Sequence, residues 1–135
     1  MQRMTRGFTL IEIMMVVAIL GMVAIFAIPN YTKSINRSHE RAASNNLIII
    51  YSSQNMARNG GGSYQAGVDV GAINTNLGLG IIPGTNMTYA CTVSGGDPPT
   101  AFTCNAAYGA IFTLQITNTN STVCCSSGTC AAPAC

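Results

Sequence analysis

Hydrophobic and polar positions change their pattern three times along the chain. Residues 8–29, FTLIEIMMVVAILGMVAIFAIP, are apolar almost without interruption. After Phe8 the next twenty-one residues carry one charge, Glu12, and residues 13–28 hold no charged or strongly polar side chain. A helix over 8–29 is about 32 Å long, which matches the ~30 Å hydrocarbon core of a bilayer. The pattern therefore predicts a membrane-spanning helix. A buried core helix of this composition needs a large domain around it, which the polar, Gly-rich remainder cannot supply. A cleaved secretory signal has a shorter apolar run followed by a small-residue site, and neither feature is present.

Beyond Pro29 the apolar positions thin out and become periodic. Ile35, Ala42, Ile49 and Met56 recur every seven residues, with Ala43, Leu47 and Ile50 beside them. This is a helical stripe, read as a core face, and Lys33, Arg37, Glu40 and Arg41 are assigned to the opposite, solvated face. Ser44, Asn45 and Asn46 are read as helix surface too. Asn59-Gly60-Gly61-Gly62 stops the helix. A helix from about Thr9 to about Arg58 is about 75 Å long, with a kink expected at Pro29 and a weak point at Gly21.

Residues 63–85 show no clean period and are read as a loop with one short helical or extended piece. Alternation then begins. MTYACTV (87–93), TAFTCN (100–105) and AIFTLQIT (110–117) are predicted strands, and residues 121–124 add a short fourth. SGGDPP (94–99) and Asn118-Thr119-Asn120 are turns. The expected fold is α+β: a long kinked N-terminal helix, its first half transmembrane, whose second half packs on a small antiparallel sheet. The divisions are 1–7, 8–29, 30–59 and 60–135.

Charge removes several function classes. Six Lys and Arg face four Asp and Glu. The basic residues past the apolar run, Lys33, Arg37, Arg41 and Arg58, are thinly spread and interleaved with Glu40, so no nucleic-acid stripe is present. The single histidine, His39, has no Cys, His or carboxylate at ligand spacing and supports neither a metal site nor a Ser/His/Asp set. It is read as a solvated surface residue. Gly78-Leu79-Gly80 completes no phosphate-binding fingerprint. Neither an enzyme activity nor a cofactor is expected. Phe8, Phe26, Tyr31 and Tyr51 along the helix are read as packing residues rather than an electron path.

The cysteines decide topology. All six lie at or after Cys91, and such a cluster fits an oxidising compartment, which places the N-terminus in the cytoplasm and the bulk of the chain across the membrane. Cys91, Cys104, Cys124, Cys125, Cys130 and Cys135 allow fifteen pairings. Cys91 and Cys104 flank the SGGDPP turn and can bridge a hairpin. Neighbouring Cys124 and Cys125 strain the peptide if joined, so each is expected to take Cys130 or Cys135. The rival is a four-sulfur metal site, but zinc sites usually show C-x2-C pairs.

Glu12 stands out against this background. A carboxylate inside an apolar span costs about 2.5–3.5 kcal/mol on insertion scales and marks function, with a partner to be found. The segment G-F-T-L-I-E and the run behind it, with Gly21 and Pro29 at matching spacing, resembles the N-terminus of type IV pilins and of type II secretion pseudopilins. The resemblance covers roughly residues 6–31. It implies a prepilin whose leader, 1–7, is cut between Gly7 and Phe8 by a prepilin peptidase in the inner membrane. It further implies methylation of the new Phe8 amine, and a charge pair between Glu12 and the Phe8 amine of a neighbouring subunit.

The expected protein is a structural subunit of a pilus-like filament, partnered by itself and other pilins. It would be single-pass in the inner membrane before assembly, and on the cell surface or in the periplasm after. The alternatives are a secretion pseudopilin or a membrane-anchored binding domain. Major pseudopilins usually carry a calcium loop built on carboxylates. Only Asp69 and Asp97 follow Arg58 here, too few for such a cage.

Overall fold

A computed structural model describes residues 7–135; the leader residues 1–6, with Arg3 and Arg6, and the side chains of Phe26, Ala27 and Pro29 lie outside it. The chain divides into two compact units, one reaching Asn36 and one from Arg37 to Cys135. The elements are α1 (Leu10–Asn59), α2 (Val70–Leu77), β1 (Met87–Ser94), β2 (Ala101–Tyr108), β3 (Phe112–Thr117) and β4 (Cys124–Gly128).

The first unit holds the apolar part of α1. The helix starts at half of a capping box: Thr9 precedes it, Glu12 at the third helical position turns back to accept the Thr9 backbone N–H at 3.4 Å, and the Glu12 N–H donates to the Thr9 backbone carbonyl at 3.1 Å. Helical backbone continues through Gly21 and Pro29. The end of α1 lies in the second unit, at the glycines. Gly60 N–H reaches the Met56 carbonyl at 3.0 Å, and Gly61 takes a φ of 86°, where a side chain is strained.

In the second unit the strands form one antiparallel meander, in the order β1-β2-β3-β4. Alternation puts Met87, Tyr89 and Cys91, then Phe102, Cys104 and Ala106, then Phe112, Leu114 and Ile116 on one buried face. That face packs with Ala43, Leu47 and Ile50 of α1 and Ile73 of α2 in a single core. Asp69 caps α2 by accepting the Ala72 N–H at 2.8 Å. The fourth strand lies at Cys124–Gly128 rather than at 121–124, because Val123 is drawn into the core and pairing with β3 starts only at Cys124. A one-residue register shift between Thr113 and Leu114 leaves Ser126 as an extra residue on β4.

The helical stripe needs correction. Ile35, Ala42, Ile49 and Met56, expected in the core, are exposed, Met56 to 75%. The buried row is Glu40, Ala43, Leu47, Ile50 and Gln54, spaced by three and four residues as one helix face requires. Its two ends are polar, so apolar periodicity alone favours the neighbouring row. Glu40, assigned to solvent, is 8% exposed. Its Oε1 accepts the backbone N–H groups of Ala131 and Ala132 at 2.7 and 2.8 Å. Gln54 is fully buried because it satisfies both sides of Gln65: its amide donates to the Gln65 carbonyl at 2.6 Å and its carbonyl accepts the Gln65 N–H at 2.8 Å. Asn46 and His39 are also half-buried rather than free surface. Asn46 donates to the Tyr89 hydroxyl at 2.8 Å, and His39 stacks on Tyr108 with ring centroids 4.4 Å apart.

Candidate functional site

Two sets of residues stand out in the sequence, the N-terminal segment and the cysteines. The structure treats them very differently. The N-terminal segment has no packing of its own. Gly7 has open space where a side chain would begin, and Phe8 is 79% exposed. The large apolar side chains over residues 10–25 show between 47% (Val16) and 79% (Leu10) of their surface. Burying one Val, Leu, Ile or Met side chain is worth about 1.5–3 kcal/mol. A helix apolar around its whole circumference is stable only inside a membrane or against other apolar helices. By length and composition this one is long and apolar enough to cross a membrane.

Glu12 is the exception on this surface. The structure gives it a local partner, the Thr9 N–H, and its charge also complements the positive end of the helix dipole. Thr9-Leu10-Ile11-Glu12 spells a capping box in the sequence itself, a local role that the pairing argument for Glu12 leaves out. One carboxylate has two oxygens and four acceptor sites, so a cap on Oε2 leaves capacity for a second donor. Gly7, Phe8 and Glu12 lie together at the start of α1, whereas Gly21 and Pro29 sit within it, about two turns apart.

The cysteines fall entirely in the second unit and all are bonded: Cys91 to Cys104, Cys124 to Cys135 and Cys125 to Cys130. The first pair follows from register. Cys91 exchanges both backbone hydrogen bonds with Gly67 on its outer side, so towards Cys104 it forms a non-hydrogen-bonded pair. Such pairs bring side chains closest, and the Cα atoms are 4.1 Å apart. The other two bridges fold the tail beside β4, where Cys125 N–H donates to the Pro133 carbonyl at 2.6 Å and Cys135 N–H to the Cys125 carbonyl at 3.1 Å. This covers the edge of the sheet that would otherwise be open. With every thiol in a disulfide, the four-sulfur metal reading has no ligands. Among the described residues no cluster of His, Cys, Asp and Glu could hold a metal ion.

Sequence reasoning missed Glu40, which carries the tail to the helix, and Tyr89. Tyr89 is 3% exposed. Burial pushes its phenol above the ordinary value of 10.0, and the hydrogen bond from Asn46 works in the opposite direction. The only available signal for either was position: both occupy core rows once the correct register of α1 and β1 is known.

Comparison with known proteins bears on the N-terminal segment. A family model described as the prokaryotic N-terminal methylation motif matches residues 2–28. The type IV major pilin protein PilA of Myxococcus xanthus (strain DK1622) is 53% identical over 49 residues, which are 36% of this chain and 22% of that protein. The type IV major fimbrial protein FimA of Dichelobacter nodosus is 58% identical over 38 residues, 28% of this chain and 24% of that one. The chain thus spans about a quarter or less of the length of these curated relatives. No solved structure matches it significantly. The stretch with the exposed apolar helix and the G-F-T-L-I-E entry thus matches the N-terminal methylation motif, and the chain is similar over 38 to 49 residues to a type IV major pilin and a type IV major fimbrial protein.

Proposed function

We propose that the chain is a structural subunit of a bacterial type IV pilus-like filament, assembled through its apolar N-terminal helix. The observation that carries this reading is a helix apolar and exposed on every side over residues 10–25, preceded by a motif shared with major pilins. Before assembly the helix resides in the inner membrane. A prepilin peptidase removes the leader 1–7, and the Phe8 amine is methylated. Helices then leave lipid for a filament core. Transfer from hydrocarbon to hydrocarbon gains little from apolar burial, so packing and polar pairing guide the step. The pair is Glu12 of one subunit with the Phe8 amine of its neighbour. Gly21 and Pro29 are the points at which the helix bends to suit the bundle. Ile49 and Met56, exposed on the second unit, extend the apolar contact surface.

The disulfide-held sheet forms the exterior. The secretion pseudopilin reading draws no separate support, since the relatives named are a major pilin and a major fimbrial protein.

Mass spectrometry on protein from native cells tests the reading. The expected mature chain begins at N-methylated Phe8, and electron microscopy shows filaments containing it. Gly7→Val is expected to leave uncut precursor in the membrane and no filaments. A surface-exposed protein with its leader intact overturns the proposal.

A further inference from the structure

The ionic groups of the described residues are unequally matched. Of the carboxylates, Glu12 takes the Thr9 N–H, Glu40 holds Ala131 and Ala132, and Asp69 caps α2. Asp97 is exposed and none of the described interactions uses it. Among the Arg and Lys side chains of the second unit, Arg58 donates to the Pro99 carbonyl and lies over the Tyr64 ring at 4.9 Å. Arg37 and Arg41 are exposed and have no ion-pair partner among the described residues.

The unmatched groups sit on surfaces of opposite shape. Arg37 and Arg41, one helical turn apart, line a hollow of about 450 Å³ together with Glu40, Ser44, Leu114, Ala131 and Ala132. Glu40 is already engaged by two backbone donors, so the rim keeps an excess of positive charge over an apolar floor. Two guanidiniums at this spacing suit one carboxylate, which each can bind through a pair of N–H groups. Asp97, in contrast, stands on the projecting β1–β2 turn. Gly95 and Gly96 bring the chain out with φ of 96° and 99°. The turn is braced at its base: Thr100 N–H donates to the Ser94 carbonyl at 3.0 Å, the Thr100 hydroxyl to the Gly95 carbonyl at 3.2 Å, and Arg58 to Pro99. A braced tip loses little freedom on docking.

The two cannot meet within one copy. The turn is tied to Arg58, which lies seventeen residues beyond Arg41 on α1, a separation of about 26 Å along the helix. We propose that the Arg37–Arg41 hollow of one subunit receives the Asp97 turn of a second copy of this chain. Different patches of the same protein then meet, and a contact of that kind propagates from copy to copy, into a ring or an open helical polymer, instead of closing a two-fold dimer. The inference rests on the pilus-like reading and names the surfaces that set the spacing of successive outer domains.

Two measurements on the full chain in cells test it. In the first, Ser94, exposed at the foot of the same turn, is replaced by a photo-crosslinking amino acid, which leaves Asp97, Arg37 and Arg41 in place. Irradiation is expected to join that position to the peptide bearing residues 37–44 of another copy, and crosslinks that land only elsewhere overturn the contact. In the second, Asp97→Lys and the double change Arg37→Glu with Arg41→Glu are each expected to lower filament number roughly tenfold, while all three changes together restore it. All three side chains are exposed, and unchanged disulfide maps confirm that the variants fold. Normal filaments in the single-site variants, or no recovery in the combination, overturn the proposal. Crosslinks from 94 to 37–44 between copies in cells that make no filaments would leave the contact standing and defeat the pilus reading; filaments whose crosslinks map elsewhere would do the reverse.

Discussion

Glu40 shows how one side chain can join distant parts of a sequence. It lies 91 and 92 residues from the two N–H groups it holds, and those groups belong to a tail with little apolar surface of its own to bury. Two disulfides shorten the tail's freedom, and the carboxylate fixes where the shortened loop rests on α1. Hydrogen bonds to a charged acceptor contribute about 1.5–3 kcal/mol when well shielded, and Ala131 is exposed, so the lower end applies. Glu40→Ala is expected to destabilise detergent-solubilised full chain by roughly 1–3 kcal/mol in chemical unfolding. Glu40→Gln, which keeps an acceptor oxygen, is expected to lose less than half of that. Equal losses for both variants would show that the charge, rather than the acceptor, holds the tail.

At the level of elements, helix and sheet meet through a polar contact inside an apolar core: Asn46 of α1 on Tyr89 of β1. Because burial raises the Tyr89 phenol above its ordinary value, the folded protein keeps the neutral form over a wider range than the unfolded chain does. The resulting stability is fully present below the unfolded value of about 10 and is lost as pH rises through the higher folded value. Unfolding midpoints measured from pH 8 to pH 11 are expected to fall more steeply for the native protein than for Tyr89→Phe above about pH 10. At pH 8 the variant is expected to be the less stable by about 0.5–1.5 kcal/mol, having left the Asn46 amide without its acceptor. Parallel curves would dismiss the phenol as a source of alkaline sensitivity.

The same pair marks how far the sequence could be read. Three strands, the glycine stop of α1 and the Cys91–Cys104 bridge were legible because alternation, φ preference and hairpin symmetry are local. The face of α1 was legible only in part: Ala43, Leu47 and Ile50 of the expected stripe are buried, whereas Ile35, Ala42, Ile49 and Met56 are exposed. Its core row begins and ends in Glu40 and Gln54, and their burial is possible only through donors and acceptors supplied by Ala131, Ala132 and Gln65. No window of sequence contains both halves of such a contact. Helix α2 was legible only as one short helical or extended piece within residues 63–85, for a related reason. It is eight residues long, with only Ile73 buried, and its ends are fixed by Asp69 and by the left-handed Gly78 rather than by an apolar period.

For the whole molecule, the question is what Glu12 does when subunits assemble. In one copy it closes half of a capping box by taking the Thr9 N–H. In a filament it is proposed to meet the Phe8 amine of the next copy. Both roles use the carboxylate, but they ask different things of it: a cap needs an acceptor oxygen, whereas pairing with an ammonium needs charge. Glu12→Gln separates them, since the amide keeps an acceptor and loses the charge. Glu12→Leu removes both and also removes the insertion cost of about 2.5–3.5 kcal/mol, so it should enter the membrane at least as well as the native chain. If charge sets the stagger between subunits, both variants accumulate in the membrane at normal levels and filament number falls at least roughly tenfold in each, the equivalent of losing about 1.4 kcal/mol per added subunit. If only the cap matters, Glu12→Gln assembles normally and Glu12→Leu alone fails. Filament counts by electron microscopy, set against immunoblots of membrane-held protein, read the difference directly. Normal filaments from Glu12→Gln would end the charge-pair mechanism while leaving the helix itself as the means of assembly.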